Sequence, residues 1–289
     1  ETNKFMLTSA EKQQFAEDGY IALPGFKSAD ELSRLKSRAN AIAAAHDFSA
    51  HRTVFSTDEQ RRQQVDAAND YFLDSDNAIM CFFEEKAFDG GGKLTQPLAQ
   101  SINKIGHALH DLDRVFEVFS TGDKLHELAL DLGLTAPQIW QSMYVFKQPK
   151  IGGKVDWHQD ASFFYTTPLS VITFWFAIDD ATLENGCLWV ETGGHKSPLR
   201  ERFTRHGRTT QMTRLDDTPW PEMSAAKPLE VKSGSLVCFH GLLPHFSAEN
   251  TSDKPRHAYT LHVTNGNADY AADNWIQREP DFPARGFLR

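Results

Sequence analysis

His158 and Asp160 stand two residues apart in the segment VDWHQDASFF, pairing an imidazole with a carboxylate. On a strand, residues two apart project from the same face, so the two groups would point together. They make two thirds of a 2-His-1-carboxylate facial triad, which leaves one side of an octahedral metal open, as in non-haem Fe(II) oxygenases. The third ligand must be a histidine from a distant strand. His245 in CFHGLLPHFS, 87 residues after His158, is the candidate, and His240 in the same segment is its rival. Read by itself, His245 is as readily a hydrogen-bonded core histidine.

The open positions of such a metal accept a 2-oxo acid and then dioxygen. A buried far carboxylate on 2-oxoglutarate needs a cation, and the planar fork of arginine matches it with two parallel hydrogen bonds. Arg256 follows His245 by 11 residues, across the turn ENTSDKP and at the start of an expected strand. If it points inward, period 2 turns Ala258, Thr260 and His262 inward as well.

Other motifs carry less. His107 and His110 in GHALH are expected to share a helix face in a structural role. The run Gly90 to Lys93 lacks the spacing of a phosphate-binding loop and reads as a turn. No Gly-x-Ser-x-Gly elbow occurs. Cys81, Cys187 and Cys238 are few and far apart, forming neither a disulfide framework nor a metal site, which fits a reducing compartment. The segment KSPLRERFTRHGRTTQMTR holds Lys196, Arg200, Arg202, Arg205, Arg208 and Arg214 against Glu201 alone. It is expected to be a basic loop at the substrate entrance. Such a loop would recruit an anionic substrate such as an acyl-CoA, or simply be solvated.

These residues need a scaffold. The 289 residues carry a net charge of −9, from 30 basic and 39 acidic side chains. That excess of acid argues against a general binder of nucleic acid or anionic membrane. No apolar run approaches the roughly 20 residues of a membrane span. The cytosol is the expected compartment, with a peroxisomal or other address open upstream of Glu1. Phe (21) and Trp (6) supply the bulk of a core.

Before about residue 135 helical patterns dominate. Thr8 with Glu11 predicts a capping box for a helix to about Asp18. Ser28 predicts the cap of a second, with Leu32, Leu35, Ala39 and Ile42 on one face. A third covers 121–132 and closes at Gly133. DYFL and NAIMCFF read as a strand pair joined across Asp74 to Asp76.

Beyond 135, short strands are expected near 138–148, 154–160, 170–178, 186–191, 228–232, 235–240 and 256–264, separated by Gly, Pro and Asn clusters. Many short strands without βα units indicate an antiparallel barrel or jelly roll. The expected fold is mainly β with flanking helices, in one domain over 1–289. Residues 1–135 would support one face of the β core at 136–289.

The chain resembles the phytanoyl-CoA dioxygenase family, and within it the phytanoyl-CoA dioxygenase domain-containing proteins. The segments that carry the resemblance are EDGYIALPGF, SINKIGHALH, QSMYVFKQP, HQDASF, ATLENGCLW, LPHFS and RHAYTLH. It implies a double-stranded β-helix and an Fe(II)- and 2-oxoglutarate-dependent dioxygenase that hydroxylates a small organic substrate, with succinate and CO2 as co-products. His158, Asp160 and His245 match the family's iron ligands, and the spacing of His245 to Arg256 decides between His245 and His240. Arg256 matches the arginine on the far carboxylate of 2-oxoglutarate, and Ser247 a neighbouring contact. Lys104, Met143 and Trp175 match further positions around the co-substrate. Two departures, Thr192-Gly193-Gly194-His195 in place of the usual Pro-Gly-Ser-His turn and Asp156-Trp157 before the His-x-Asp pair, bear on the substrate pocket. Acyl-CoA is the namesake substrate. No nucleic acid, membrane or obligate protein partner is expected. The alternative is a protein that binds iron and 2-oxoglutarate without hydroxylating a primary substrate.

Overall fold

The computed structural model describes residues 7–55 and 67–289. Both N-terminal capping boxes form in full. The Thr8 and Ser28 side chains accept from the backbone N–H of Glu11 and Glu31, whose carboxylates accept from the N–H of the caps. They open α1 (Ser9–Asp18) and α2 (Ala29–Ala44), and Gly19, at φ 83°, closes α1 in the left-handed conformation that glycine adopts without strain. Further helices are α3 (Ala67–Asp74), α4 (Leu109–Leu112), α5 (Arg114–Ser120) and α6 (Asp123–Asp131). The expected strand DYFL lies inside α3. Short apolar runs do not separate strand from helix, and here the helix sets Phe72 against Phe82 and stacks it on Trp275 at 4.4 Å.

The strands form two antiparallel sheets facing one another. The larger runs β1 (Tyr20–Leu23), β12 (Leu236–His240), β7 (Ile172–Ala177), β14 (Ala258–Asn265), β4 (Pro137–Val145), β3 (Ile102–His107) and β2 (Ile79–Phe83). The smaller runs β11 (Lys227–Leu229), β8 (Leu188–Val190), β13 (His245–Ser247) and β5 (Val155–His158). A hairpin of β9 (Glu201–His206) and β10 (Thr209–Arg214), and a short pair of β6 (Thr166–Thr167) with β15 (Asp269–Tyr270), flank them. The region before residue 135 is therefore more than a helical support, because it contributes β1, β2 and β3. NAIMCFF, expected as a strand, becomes β2, whereas β1 and β3 were not expected: β3, INKIGH, is buried at every position yet half polar, so no alternation marks it.

The central strands explain the core. In β7, ITFWFA, both faces are buried, so the run is nearly all apolar. Ile172, Phe174 and Phe176 pack outward against the helices with Leu35, Phe116 and Phe119. Trp175 and Ala177 face the smaller sheet with Val190, Val237 and Ala258. In β14, Tyr259, Leu261 and Val263 join the outer core, while Thr260 and His262 turn to an internal cavity. Polar residues at the inner positions of a fully buried strand require local partners or a ligand. Among the described residues, no helix is long and apolar enough to cross a membrane.

Candidate active site

β5 and β13 pair with His158 opposite His245, which brings the two imidazoles to 4.0 Å between ring centroids. β5 stops at His158, and Asp160 opens a 3-10 turn over Asp160–Ser162. Gln159 between them stays extended (φ −121°, ψ 131°), so the alternation persists and Asp160 faces both histidines. One donor atom from each residue lies within 4.8 Å of the others. Asp160 Oδ1 is 3.4 Å from His158 Nε2 and 3.5 Å from His245 Nε2. Donors bound to one ion at roughly 2.1 Å along perpendicular directions stand roughly 3 Å apart, close to what is seen.

Protonation is set for a metal. Nδ1 of His158 bonds the carbonyl of Asp156 at 2.8 Å, and Nδ1 of His245 that of Leu243 at 2.9 Å. A carbonyl only accepts, so each Nδ1 carries the proton and each Nε2 offers a lone pair. Burial, reinforced by His158, pushes the His245 imidazole down to about 4, which keeps it neutral as a ligand must be. For Asp160, burial favours the acid, whereas positive charge on the side of His245 and His262 holds the carboxyl well below its usual range; with the imidazoles neutral, a bound metal cation would supply that charge. Its second oxygen, Oδ2, accepts from Thr173 Oγ1 at 2.5 Å and lies 3.4 Å from His262 Nε2. One carboxylate oxygen is thereby held from behind, and the other is aimed at the histidines. Two neutral imidazoles and one carboxylate on a single side fit iron with open positions opposite.

The register of the larger sheet carries the site away from this centre in rungs. Phe239, Thr173, His262 and Gln141 lie side by side across β12, β7, β14 and β4. Val237, Trp175, Thr260 and Met143 form the next rung. Ala177, Ala258, Val145 and Lys104 form the third, reaching β3. Arg256 stands just before β14, beyond that last rung. It is buried, its guanidinium carbon 5.4 Å from the Trp175 ring centroid and Nη2 3.4 Å from Ser247 Oγ. Its Nε has no hydrogen-bond partner. Burial lowers Arg256 to about 10, so it remains a cation at neutral pH. Lys104 points into the same cavity, Nζ 3.7 Å from Met143 Sδ and 3.7 Å from the Phe55 ring centroid. Burial lowers Lys104 to about 7.

The cavity measures about 170 Å³. Away from the cations its wall is largely aromatic and apolar, with Phe163, Phe164, Met212, Phe246 and Trp275, and Phe72 links this wall to Lys104, whose Nζ lies 5.9 Å from its ring centroid. The segment expected as a basic entrance loop is instead the β9–β10 hairpin, turning at Gly207 (φ 64°). Its arginines hold the hairpin to the body. Arg202 pairs with Asp273 (2.7 Å), Arg205 with Asp76 (2.8 Å), and Arg208 with Asp70 (2.9 Å) and Asp74 (2.7 Å). Arg200 donates to the carbonyls of Thr218 and Pro219, and Arg214 to that of Thr218. Alternation on either side of Gly207 was the hairpin signal in the sequence, masked by the charge.

His158, Asp160, Lys104, Met143, Trp175, His245, Ser247 and Arg256 thus all line one cavity. His240 lies elsewhere, its Nδ1 accepting from the N–H of Leu242. His107 and His110 do not share a helix face, because β3 ends at His107 before α4 begins. His107 bonds Ser75 Oγ and lines the cavity, whereas His110 is buried against Ser142 and Asp111. Sequence reading overlooked Thr173 and Lys147. The first sits two residues before Trp175 on the same strand face. The second follows β4 where periodicity no longer applies.

The sequence profile of the phytanoyl-CoA dioxygenase family matches residues 15–258. The chain is 43% identical to phytanoyl-CoA dioxygenase domain-containing protein 1 of Bos taurus over 282 residues, covering 96% of this chain and 97% of the relative. It is 44% identical to the phytanoyl-CoA dioxygenase of Arabidopsis thaliana over 273 residues, 94% of each. Among solved structures, EctD from S. alaskensis with 2-oxoglutarate and 5-hydroxyectoine superposes with a TM-score of 0.63 at 21% identity, over all of this chain and 87% of that one. The carbocyclase SnoK from nogalamycin biosynthesis gives 0.62 at 18%, over 96% of each. At those identities the two structures speak for the shared fold alone.

Proposed function

The chain belongs to the phytanoyl-CoA dioxygenase family, and we propose that it is an Fe(II)- and 2-oxoglutarate-dependent dioxygenase that hydroxylates a small organic substrate. His158, Asp160 and His245 would hold the iron. The observation that carries the reading is the convergence of these three donors at one end of a cavity whose other end holds the buried cation Arg256. When bound, iron supplies the activation of dioxygen that turns 2-oxoglutarate into succinate and CO2 and oxidises a C–H bond.

The protein's own residues orient and exclude. Asp160 presents one oxygen because Thr173 and His262 engage the other. Arg256 meets the far carboxylate, and the Trp175 ring beside it shields the pair from water. Met143 and Thr260 flank the path between the two ends, on the rung of Trp175, and Lys104 and Ser247 border it. The aromatic wall of Phe72, Phe163 and Trp275 places an apolar part of the substrate beside His158, whose ring lies 6.2 Å from Phe163. That wall suits a compact, largely apolar molecule, an acyl group included. The phosphates of an acyl-CoA would find the hairpin arginines already engaged, so recruitment by the hairpin loses its support.

The test needs no primary substrate. Apo-protein is titrated anaerobically with Fe(II) and 2-oxoglutarate while the visible charge-transfer band of the chelate is followed. The band should require both additions and vanish in Asp160→Ala. A folded, iron-loaded wild type without the band would end this reading. Succinate released in step with hydroxylated product then separates an oxygenase from a protein that only binds the pair.

A further inference from the structure

Arg256 is not alone at its end of the cavity. Lys147 lines the same space and is almost wholly buried. Its Nζ donates to Ser247 Oγ at 2.7 Å and to the carbonyl of Gly153 at 2.8 Å. Ser247 Oγ is also the atom 3.4 Å from Arg256 Nη2, and its own proton goes to the carbonyl of Gly186 at 2.9 Å. One hydroxyl therefore accepts from two cations and is saturated, with one proton given and two lone pairs taken. Two N–H groups of Lys147 are committed, and the third has no hydrogen-bond partner among the described residues.

The two cations are also bound at the backbone. The carbonyl of Lys147 accepts from the N–H of Arg256 (3.1 Å) and from Asn250 Nδ2 (2.8 Å). Lys147 itself sits at φ 41°, a left-handed conformation that costs energy for a residue with a Cβ and persists where surroundings enforce it. The lysine stem runs so close to Gly186 that a Cβ there would stand 2.5 Å from Lys147 Cε. The ammonium is fixed in place rather than free to snorkel outward.

Like charges this close in a dry interior repel. Burial first, and then Arg256, hold the Lys147 ammonium well below its ordinary range. Glu84 acts on it favourably from a distance, but the oxygens of Glu84 are occupied by Asn103 Nδ2 and by the N–H groups of Gln148 and Gly153. Such an arrangement is costly without an anion and favourable with one.

We propose that Lys147 is the second cation of the far-carboxylate anchor and that, with Arg256, it makes the site selective for a dicarboxylic over a monocarboxylic 2-oxo acid. The inference rests on the reading of the cavity given above. Arg256 supplies the planar fork, and Lys147 a point charge from the side of Ser247. A co-substrate without the far carboxylate would give neither cation an anion, leaving Arg256 uncompensated and driving Lys147 to give up its proton, which is the condition for strong discrimination.

The test compares 2-oxoglutarate with 2-oxopentanoate, which has the same five carbons but no far carboxylate. Dissociation constants are measured calorimetrically on Fe(II)-loaded, oxygen-free protein. Lys147→Gln keeps a donor for Gly153 and Ser247 but removes the charge, and Lys147→Arg keeps the charge. Loss of one charge-assisted hydrogen bond should weaken 2-oxoglutarate roughly tenfold to a hundredfold. Binding of 2-oxopentanoate should change by less than about threefold or improve, since repulsion has been relieved. Lys147→Arg should keep most of the preference. Equal weakening of both acids in Lys147→Gln, with a lowered melting temperature, would assign Lys147 to the tether alone and overturn the proposal. So would an unchanged preference in that variant. If Lys147→Gln does not fold, a Lys147→Arg protein that folds but has lost the preference for 2-oxoglutarate overturns it too. Wild type that binds neither acid would instead remove the underlying functional reading.

Discussion

Thr173 offers the sharpest test of how the carboxylate ligand is held. Its hydroxyl, on the rung nearest the histidines, donates to Asp160 Oδ2 at 2.5 Å, and both side chains are buried. Thr173→Val keeps the shape and the β-branched strand preference while removing that donor. A hydrogen bond to a charged acceptor contributes about 1.5–3 kcal/mol. Part of its loss falls equally on the metal-free protein. The remainder appears as extra freedom of Asp160, which must be frozen when metal binds, and as a second oxygen free to compete for an open position. Partners of metal ligands typically change metal affinity by roughly tenfold to a hundredfold, and that range is expected here because His262, at 3.4 Å, remains. The assay is anaerobic Fe(II) titration calorimetry on wild type, Thr173→Val and Thr173→Ser, with melting curves of the metal-free proteins. Serine should restore most of the affinity. An iron affinity within about twofold of wild type in a well-folded Thr173→Val protein would show that Asp160 is not held from this side.

Arg256→Met should weaken 2-oxoglutarate by roughly a hundredfold or more, since a buried charge pair is lost, while Fe(II) affinity stays within a few-fold; calorimetry of each ligand separates the two. Thr260 carries a buried hydroxyl without a partner, so Thr260→Val should raise the stability of the ligand-free protein by about 1 kcal/mol, read as a higher melting temperature, while lessening the stabilisation given by 2-oxoglutarate. Lys104 sets a pH dependence. Burial lowers it to about 7, so the free site loses this cation as pH rises through 7, and a bound dianion favours the charged form. Binding of 2-oxoglutarate at pH 8 should therefore take up a proton, and affinity should fall between pH 7 and 9. Calorimetry in buffers of different ionisation enthalpy measures that uptake, which Lys104→Met should reduce.

Local chemistry was legible without the fold. Both capping boxes follow from Thr8, Glu11, Ser28 and Glu31, because their hydrogen bonds span three residues and need nothing distant. The pairing of His158 with Asp160, and of Arg256 with Thr260 and His262, follows from the two-residue period of an extended chain. His245 was recognisable only with the family resemblance, since nothing within its own segment separates a ligand from a core histidine.

What the tertiary structure decided are the contacts between segments far apart in the chain. Antiparallel register alone places His158 against His245 and Thr173 beside His262. A hydroxyl shared by Lys147 and Arg256 exists only because three segments meet at Ser247. The arginine-rich hairpin shows the same limit in reverse: its charge was plain in the sequence, but the partners that neutralise it, Asp70, Asp74, Asp76 and Asp273, lie up to 138 residues away. Charge is a property of residues, whereas its availability to a ligand depends on which other residues have already been brought to it.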